Sequence, residues 1–219
     1  MTDDIIIAKA IHEIETKTWG VTEQFLEVHE IVYANGKPVI ARIDKDDPDG
    51  NVIVYFPVKD EPFYFAVYFN TLPEIAIRWM GTEPGNSVYF AAFSGEMSYG
   101  QLAALTQLKP TGGWSIGDKQ KLDGTLLRKS SKIMFEPDKG PDELEHKLTK
   151  LLDFLESDKE GVALLTEKAG GYIQVAIQFH NGNGMLGGPH INTDCIKRMA
   201  ALNIEIDFDI YATGNEVKA

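Results

Sequence analysis

Residues 171–211 carry the pattern that most restricts the fold of this chain. A β-branched and aromatic run at 172–180 precedes a glycine-rich loop, and Asn192 then stands where a helix N-cap is expected. Residues 204–211 alternate large apolar residues with acids, which is the period of a strand with one buried face. The sequence therefore predicts a strand, a loop, a capped helix and a final strand, with the two strands side by side.

Residues 86–214 are predicted to form an α/β sandwich that contains this segment. Two further strands are expected at 87–93 and 126–135. Ser98 and Gln101 have the spacing of a helix capping box, and leucines at helical spacing mark a later helix. The order β-α-β-α-α-β-α-β predicts a four-stranded, ferredoxin-like sheet with helices on one face.

Residues 1–85 are predicted to form a helix followed by an antiparallel β-meander. Isoleucines at i, i+4 and i+7 give one apolar face of the helix, which Gly20 is expected to end. Asn35 and Gly36 form the dipeptide that favours a tight hairpin turn. Short connections between β-branched and aromatic runs predict one antiparallel sheet. Its five strands are expected at 25–33, 38–43, 52–58, 63–69 and 75–80.

The fold class predicted for the whole chain is α+β. An antiparallel β-rich N-terminal region is followed by a four-stranded ferredoxin-like α/β sandwich. The boundary is placed at residues 82–86, whose proline, glycine and asparagine are typical of a turn. Residues 215–219 are assigned to a C-terminal tail. With 219 residues, 43% of them hydrophobic, the chain can bury a substantial core as one large or two small domains.

The acidic composition restricts the partners that the chain can have. The formal net charge is −12, and because nucleic acid repels such a surface, no nucleic-acid partner is predicted. A basic protein is attracted by the same charge, although solubility alone also explains it. No apolar run approaches the roughly 20 residues that span a bilayer, and the acidic N-terminus is unlike a signal peptide. A cytoplasmic protein without a membrane partner is expected.

Several motifs suggest a cofactor or a metal but do not meet the requirements of such a site. Three glycines at 182–187 have the spacing of a dinucleotide-binding loop, yet further residues separate them from the next helix. Cys195 is the single cysteine, which excludes an internal disulfide and a cysteine-built zinc site. The five histidines show no metal-ligand spacing, although His180 and His190 bracket the glycine-rich loop. No cofactor, metal or catalytic residue is therefore predicted.

The order of several short motifs resembles a known family. Residues 94–96 (Ser-Gly-Glu) end a strand, residues 108–111 (Leu-Lys-Pro-Thr) follow a short helix, and residues 117–118 (Gly-Asp) precede the next strand. A helix and an acid-alternating strand at 201–211 close the segment. Together these motifs make residues 87–214 similar to a bacterial domain family of unassigned function.

The resemblance implies a function only by association. Proteins of this general type often accompany bacterial toxins as immunity proteins, and the family supplies no catalytic residue to transfer to this chain. Residues 133–135 (Ile-Met-Phe) depart from the family at a strand that often carries tryptophan. Residues 1–85 lie outside the resemblance.

The candidate binding surface is the face of the C-terminal sheet opposite the predicted helices. Alternate residues of a strand share one face, so the last strand lines up three carboxylates, and strand 172–180 adds a second polar row. Arg128, Ser130 and Lys132 form a third row, and an ordinary solvated face in which the basic residues balance the acids is the alternative. The candidate binding residues are Glu205, Asp207, Asp209, Gln174, Gln178 and His180.

These features favour binding without catalysis. The leading hypothesis is a protein binder that neutralises a basic partner, as an immunity protein does, because the surface is acidic and no complete catalytic set is present. The alternative is a small-molecule sensor or carrier that uses a cleft between the two parts. A hydrolase that uses scattered carboxylates ranks last. The sequence leaves the partner's identity and the oligomeric state open.

Overall fold

The predicted α+β fold is confirmed by the computed structural model, which describes residues 2–47, 49–120, 124–182 and 186–216. Two separate hydrophobic clusters form the cores of an N-terminal and a C-terminal unit. Within the described residues, no helix has both the length and the apolar character needed to cross a membrane.

The N-terminal unit is a four-stranded antiparallel sheet with two helices and a small hairpin. The sheet order is β3-β4-β5-β6, and β1 and β2 form a separate two-stranded sheet. The hairpin turns at Asn35 and Gly36, both of which have positive φ, as the sequence predicts. The elements are α1 (Thr2–Thr16), α2 (Gly20–Leu26), β1 (Tyr33–Ala34), β2 (Lys37–Pro38), β3 (Arg42–Asp44), β4 (Val52–Pro57), β5 (Tyr64–Asn70) and β6 (Ala76–Glu83).

The strand predicted at 25–33 is wrong, because this part of the chain begins with helix α2. Gly20 starts that helix instead of ending the first one. Phe25 on α2 is buried and stacks on Phe65 of the sheet, with ring centroids 4.7 Å apart. Tertiary packing of this aromatic ring therefore outweighs the local β preference that the sequence analysis used.

The C-terminal unit is a five-stranded sheet with its helices packed into one core. The sheet order is β11-β10-β7-β9-β8. Strands β10 and β11 are parallel, and the other neighbours are antiparallel. The elements are β7 (Gly85–Ser94), α3 (Tyr99–Ala103), β8 (Gly112–Trp114), β9 (Ser131–Phe135), α4 (Leu144–Glu156), α5 (Lys159–Ala169), β10 (Tyr172–His180), α6 (Thr193–Ala201) and β11 (Glu205–Thr213).

The prediction of four strands in this sheet is corrected by the short strand β8. A Cβ atom on Gly113 would lie 2.2 Å from the carbonyl oxygen of Lys132, so only glycine lets the backbone approach β9 this closely. Glycine-rich runs have low strand propensity, which is why the sequence does not indicate β8. The predicted strand 126–135 is also too long, because regular pairing begins at Ser131. The parallel β10–β11 pair further distinguishes the sheet from a ferredoxin-like one.

The segment predicted as a turn at 82–86 is extended instead. Strand β6 ends at Glu83 and β7 begins at Gly85, so only Pro84 separates a strand of one sheet from a strand of the other. A Cβ atom on Gly85 would lie 1.7 Å from the carbonyl oxygen of Pro62, so glycine allows the two units to meet here. Whether residues 1–85 and 86–214 fold as independent domains stays a prediction.

Asp158 joins helix α5 to the loop after α3, and its loss should destabilise the C-terminal unit. One carboxylate oxygen accepts a hydrogen bond from the backbone N–H of Gly161, and the other accepts bonds from the Thr106 hydroxyl and the Gln107 N–H. We expect Asp158→Ala to lower the free energy of unfolding by about 1–2 kcal/mol, measured by urea denaturation. Asp49→Ala, at an exposed loop position, is the control and should change it by less than about 0.5 kcal/mol.

Candidate functional site

The face of the five-stranded sheet opposite the helices, called the open face here, contains most of the predicted binding residues. Ile173, Val175 and Ile177 of β10 point into the helix-covered core, so the alternate residues of β10 project from the open face. The parallel register places Gln174 beside Asp207. The helices of the C-terminal unit contribute to the core on the other side. At the end of β10, Phe25 of helix α2 contacts the ring of His180, so the N-terminal unit covers that end of the face.

Three carboxylates form a row along β11 on the open face. Glu205, Asp207 and Asp209 are all exposed, and they project away from the helix layer because Ile204, on the alternate face, lies in the core. None of the three forms an ion pair with another residue in the part of the chain that the structure describes. Strand β11 is also the edge of the sheet. Among the described residues the row therefore carries negative charge that no basic side chain neutralises, along the edge strand of the sheet.

The two glutamines of β10 differ in their burial and in their contacts with the residues of β11. Gln174 is buried, and its side-chain N–H donates to a carboxylate oxygen of Asp209 over 3.2 Å. Gln178 is half-buried and lies opposite Tyr211 in the register. All six predicted residues project from the same side of the sheet, but only five of them line the open face, because His180 is 2% exposed and is covered by the N-terminal unit.

A lysine on β9 of the open face is surrounded by aromatic rings. The Lys132 ammonium is 4.6 Å from the ring centroid of Tyr89, 5.3 Å from that of Phe93 and 5.4 Å from that of Trp114. Such distances place the cation within range of cation–π attraction. Burial lowers the pKa of Lys132, because desolvation disfavours the charged form.

The sequence analysis identified Lys132 and Arg128 on this face but missed the aromatic residues. The signal was present in strand β7, where Tyr89 and Phe93 alternate with the core residues Val88, Phe90 and Ala92. Both faces of β7 carry apolar residues, so alternation of polar and apolar residues did not show that Tyr89 and Phe93 lie on the open face. The open face therefore combines an aromatic cluster around Lys132 with one acidic edge.

A second cluster of titratable groups lies where β3 meets the start of α4. Side-chain atoms of Asp44, Asp142 and His146 lie within 4.8 Å of one another, which is close enough to hold a metal ion. However, the Asp142 carboxylate already accepts hydrogen bonds from the Arg42 guanidinium, with N and O 2.6 Å apart, and from the Lys150 ammonium, with N and O 2.7 Å apart. Because two cations already neutralise these carboxylates, the cluster is best described as an ion network that joins the two units.

A pair of buried histidines forms a third cluster, also between the units. The Nε2 atoms of His29 and His180 are 3.0 Å apart, and the carbonyl oxygen of Asn215 lies 3.0 Å from the first and 2.8 Å from the second. Burial lowers the pKa of His180, with the nearby His29 acting in the same direction. His180 therefore lies against His29, while His190, which the sequence places near it, is exposed.

Part of the glycine-rich loop is explained by this histidine pair. A Cβ atom on Gly182 would lie 2.6 Å from the His180 ring, so glycine leaves room for the imidazole. Gly184, the second glycine of the dinucleotide-like spacing, lies outside the described residues. Asn192 caps α6 as predicted, since its side chain accepts a hydrogen bond from the Cys195 N–H at 2.9 Å.

Comparison with known proteins gives one match. A family described as a domain of unknown function, DUF4279, matches residues 83–213, which confirms the resemblance inferred from the sequence motifs. No match was found among curated proteins or among solved structures. The matched segment begins at the last residue of β6 and includes the whole open face. Because it covers more than half of the chain, the chain belongs to the DUF4279 family.

Proposed function

We propose that this protein is a non-catalytic binder that neutralises a basic partner protein, in the manner of an immunity protein. The observation that carries the proposal is the acidic edge strand β11, with Glu205, Asp207 and Asp209 exposed and without ion pairs among the described residues. A basic partner gains attraction from these charges and from the net charge of −12, which also raises its association rate.

The geometry of β11 supports a partner that is different from the chain itself. A nine-residue edge strand presents free backbone N–H and C=O groups, to which another strand can add. Antiparallel pairing of two copies through β11 would bring six carboxylates together on one face, and like charges opposite one another destabilise a sheet. A strand with Lys or Arg at alternate positions has the opposite effect. The charge pattern therefore favours a basic partner over self-association.

A small-molecule sensor or carrier is the second candidate. A pocket of about 230 Å³ lies between the units, lined in part by Phe25, Phe65, His180 and Gly182. Ligand sites usually measure about 300–1,000 Å³. Because this pocket is smaller, it supports the sensor hypothesis less well than the acidic strand supports binding of a protein.

The experiment compares the wild-type chain with a triple variant, Glu205→Gln, Asp207→Asn and Asp209→Asn. Pull-down from extracts of the native host supplies the partner. Association rates are then measured at roughly 50 and 500 mM salt, because the higher salt concentration greatly shortens the range of the electrostatic field. We expect the triple variant to associate at least about tenfold more slowly at the lower salt concentration. The difference should largely disappear at the higher one.

A matched control removes three acids from other exposed positions, as Glu27→Gln, Glu160→Gln and Glu167→Gln. It should change the association rate at low salt by less than about threefold, because these acids lie outside the proposed contact strand and the field of a surface charge is screened with distance. Equal rates for the wild type and the β11 variant at both salt concentrations would contradict the proposal. An equal loss of rate in the two triple variants would show that net charge acts without this strand.

A further inference from the structure

We propose that His29, His180 and the backbone carbonyl of Asn215 form a site for a divalent transition-metal ion of the zinc class. The two imidazole Nε2 atoms and the carbonyl oxygen make a triangle with edges of 3.0, 3.0 and 2.8 Å. His29 belongs to the N-terminal unit, whereas His180 and Asn215 belong to the end of the chain. The ion would therefore connect the two units.

The protons available to these three groups cannot make all three contacts favourable. A carbonyl oxygen only accepts hydrogen bonds, and each neutral imidazole Nε2 either carries one proton or presents one lone pair. If both nitrogens carry protons and donate to Asn215, then two N–H groups face each other across 3.0 Å. If one nitrogen is bare, its lone pair faces the carbonyl lone pair at 3.0 Å or less. A cation among the three atoms turns every one of these contacts into an attraction.

The dimensions of the triangle fit such an ion after a small adjustment. Zinc–nitrogen bonds are about 2.0–2.1 Å long, which in tetrahedral geometry separates neighbouring ligand atoms by about 3.3 Å. The observed separations of 2.8–3.0 Å require each ligand to move by only a few tenths of an ångström. Imidazole nitrogen is a preferred ligand for zinc, nickel and copper, whereas calcium and magnesium require more oxygen atoms.

The surroundings hold both rings in place for binding. Phe25 stacks on His29 with centroids 4.7 Å apart, and Phe63 contacts both imidazoles, at 5.5 Å from His29 and 5.0 Å from His180. A Cβ atom on Gly214 would lie 3.1 Å from the His29 ring, so glycine is needed where the chain passes this histidine. Fixed ligands bind a metal more tightly because less side-chain freedom is lost.

An unsatisfied hydroxyl on the residue that pairs with His180 is a second sign of a missing ligand. The side-chain oxygen of Thr213 is buried and has no hydrogen-bond partner in the part of the chain that the structure describes. Thr213 is the register partner of His180 in the parallel β10–β11 pair, so both side chains project from the same face. A water molecule in the open coordination position of the ion is the kind of group that such a hydroxyl can bond.

The test titrates the full chain, first treated with a chelator, with zinc chloride and with cobalt chloride. Calorimetry should give one zinc ion per chain, and the cobalt complex should show the visible absorption of a site with nitrogen ligands. Saturating zinc should raise the melting temperature by roughly 5–10 °C. His29→Gln and His180→Gln should each weaken binding by at least about a hundredfold, and His190→Gln, at an exposed histidine, is the control.

A measurement on the wild-type chain keeps the proposal testable if a variant does not fold. On addition of zinc, the ring ¹⁵N resonances of His29 and His180 should shift, and those of His12 and His190 should not. Absence of zinc binding up to about 1 mM, with unchanged melting temperature and unchanged ring resonances, would overturn the proposal. Binding that His190→Gln weakens as much as His180→Gln would likewise assign the metal to a different place.

Discussion

Replacing Asp142 with asparagine should lower the free energy of unfolding by about 2–3 kcal/mol, because the buried carboxylate loses its charge and its charge-assisted hydrogen bonds from Arg42 and Lys150. The Asp142 side chain is fully buried, and it accepts hydrogen bonds from Arg42 at 2.6 Å and from Lys150 at 2.7 Å. Arg42 lies on β3 of the N-terminal unit, and Lys150 lies on α4 of the C-terminal unit. The substitution therefore weakens one helix and the contact between the two units together.

Thermal and urea denaturation measure this effect. For a chain of this length, a loss of about 3 kcal/mol corresponds to a decrease of roughly 6–12 °C in melting temperature. The control is Asp153→Asn, which removes a carboxylate that also binds an arginine, Arg198, at 2.6 Å but is 65% exposed. Surface pairs of this kind contribute about 0–1 kcal/mol. Equal losses in the two variants would contradict the assignment of a buried ion network at Asp142.

The same network predicts how stability depends on pH. Burial by itself raises the pKa of Asp142, but hydrogen bonds from Lys150 and Arg42 outweigh it and hold the pKa below its usual value. The ionised carboxylate therefore stabilises the folded state above the unfolded pKa of about 3.9. That stabilisation is lost as the pH falls through the lower, folded value. Melting temperatures measured from pH 7 down to pH 2 should fall less steeply below pH 4 for Asp142→Asn than for the wild type.

Gly85→Ala should be the most damaging of the single-methyl additions at the junction of the units. The new Cβ atom would lie 1.7 Å from the carbonyl oxygen of Pro62, and this neighbour is backbone, which cannot rotate away. Overpacking of this kind typically costs about 1–3 kcal/mol, and a collision with backbone belongs at the upper end. We therefore expect a loss of about 3 kcal/mol, or roughly 6–12 °C in melting temperature.

Gly95→Ala is the matched control for this substitution. Gly95 is exposed, and a Cβ atom there would meet nothing within 4 Å. Alanine at such a position reduces the freedom of the unfolded chain, so stability should stay the same or rise by up to about 1 kcal/mol. If Gly85→Ala proved as stable as Gly95→Ala, then the close approach of β7 to the Pro62 loop would be wrong.

The C-terminal fold was easier to predict from sequence than the N-terminal one, for reasons that particular residues show. Strand β10 was predicted with its observed bounds, because its apolar residues alternate regularly and glycines flank it. Helix α2 was missed, because its seven residues include only one apolar residue, Phe25, that is fully buried. A short helix of this kind depends on a ring that packs against a distant strand, which local pattern does not reveal.

In the candidate site, too, features within one strand could be predicted from sequence, whereas contacts between distant residues could not. The carboxylate row on β11 follows directly from alternation within one strand, so sequence sufficed to place it on the open face. The clusters around Asp142 and His180 combine residues more than 90 positions apart, and no spacing rule connects them. Prediction of those contacts needs the packing of one unit on the other, which depends on the whole fold.

The near-continuous strand formed by β6 and β7 limits how the protein can move. A hinge needs several loop residues that absorb large changes of backbone angle. Here one residue, Pro84, separates the two strands, and its ring fixes one of its two backbone angles. The two cores should therefore turn together as one rigid body. A partner bound to β11 would then keep a constant orientation relative to the N-terminal sheet. The N-terminal sheet could therefore contact the same partner, or a second one, in a fixed geometry.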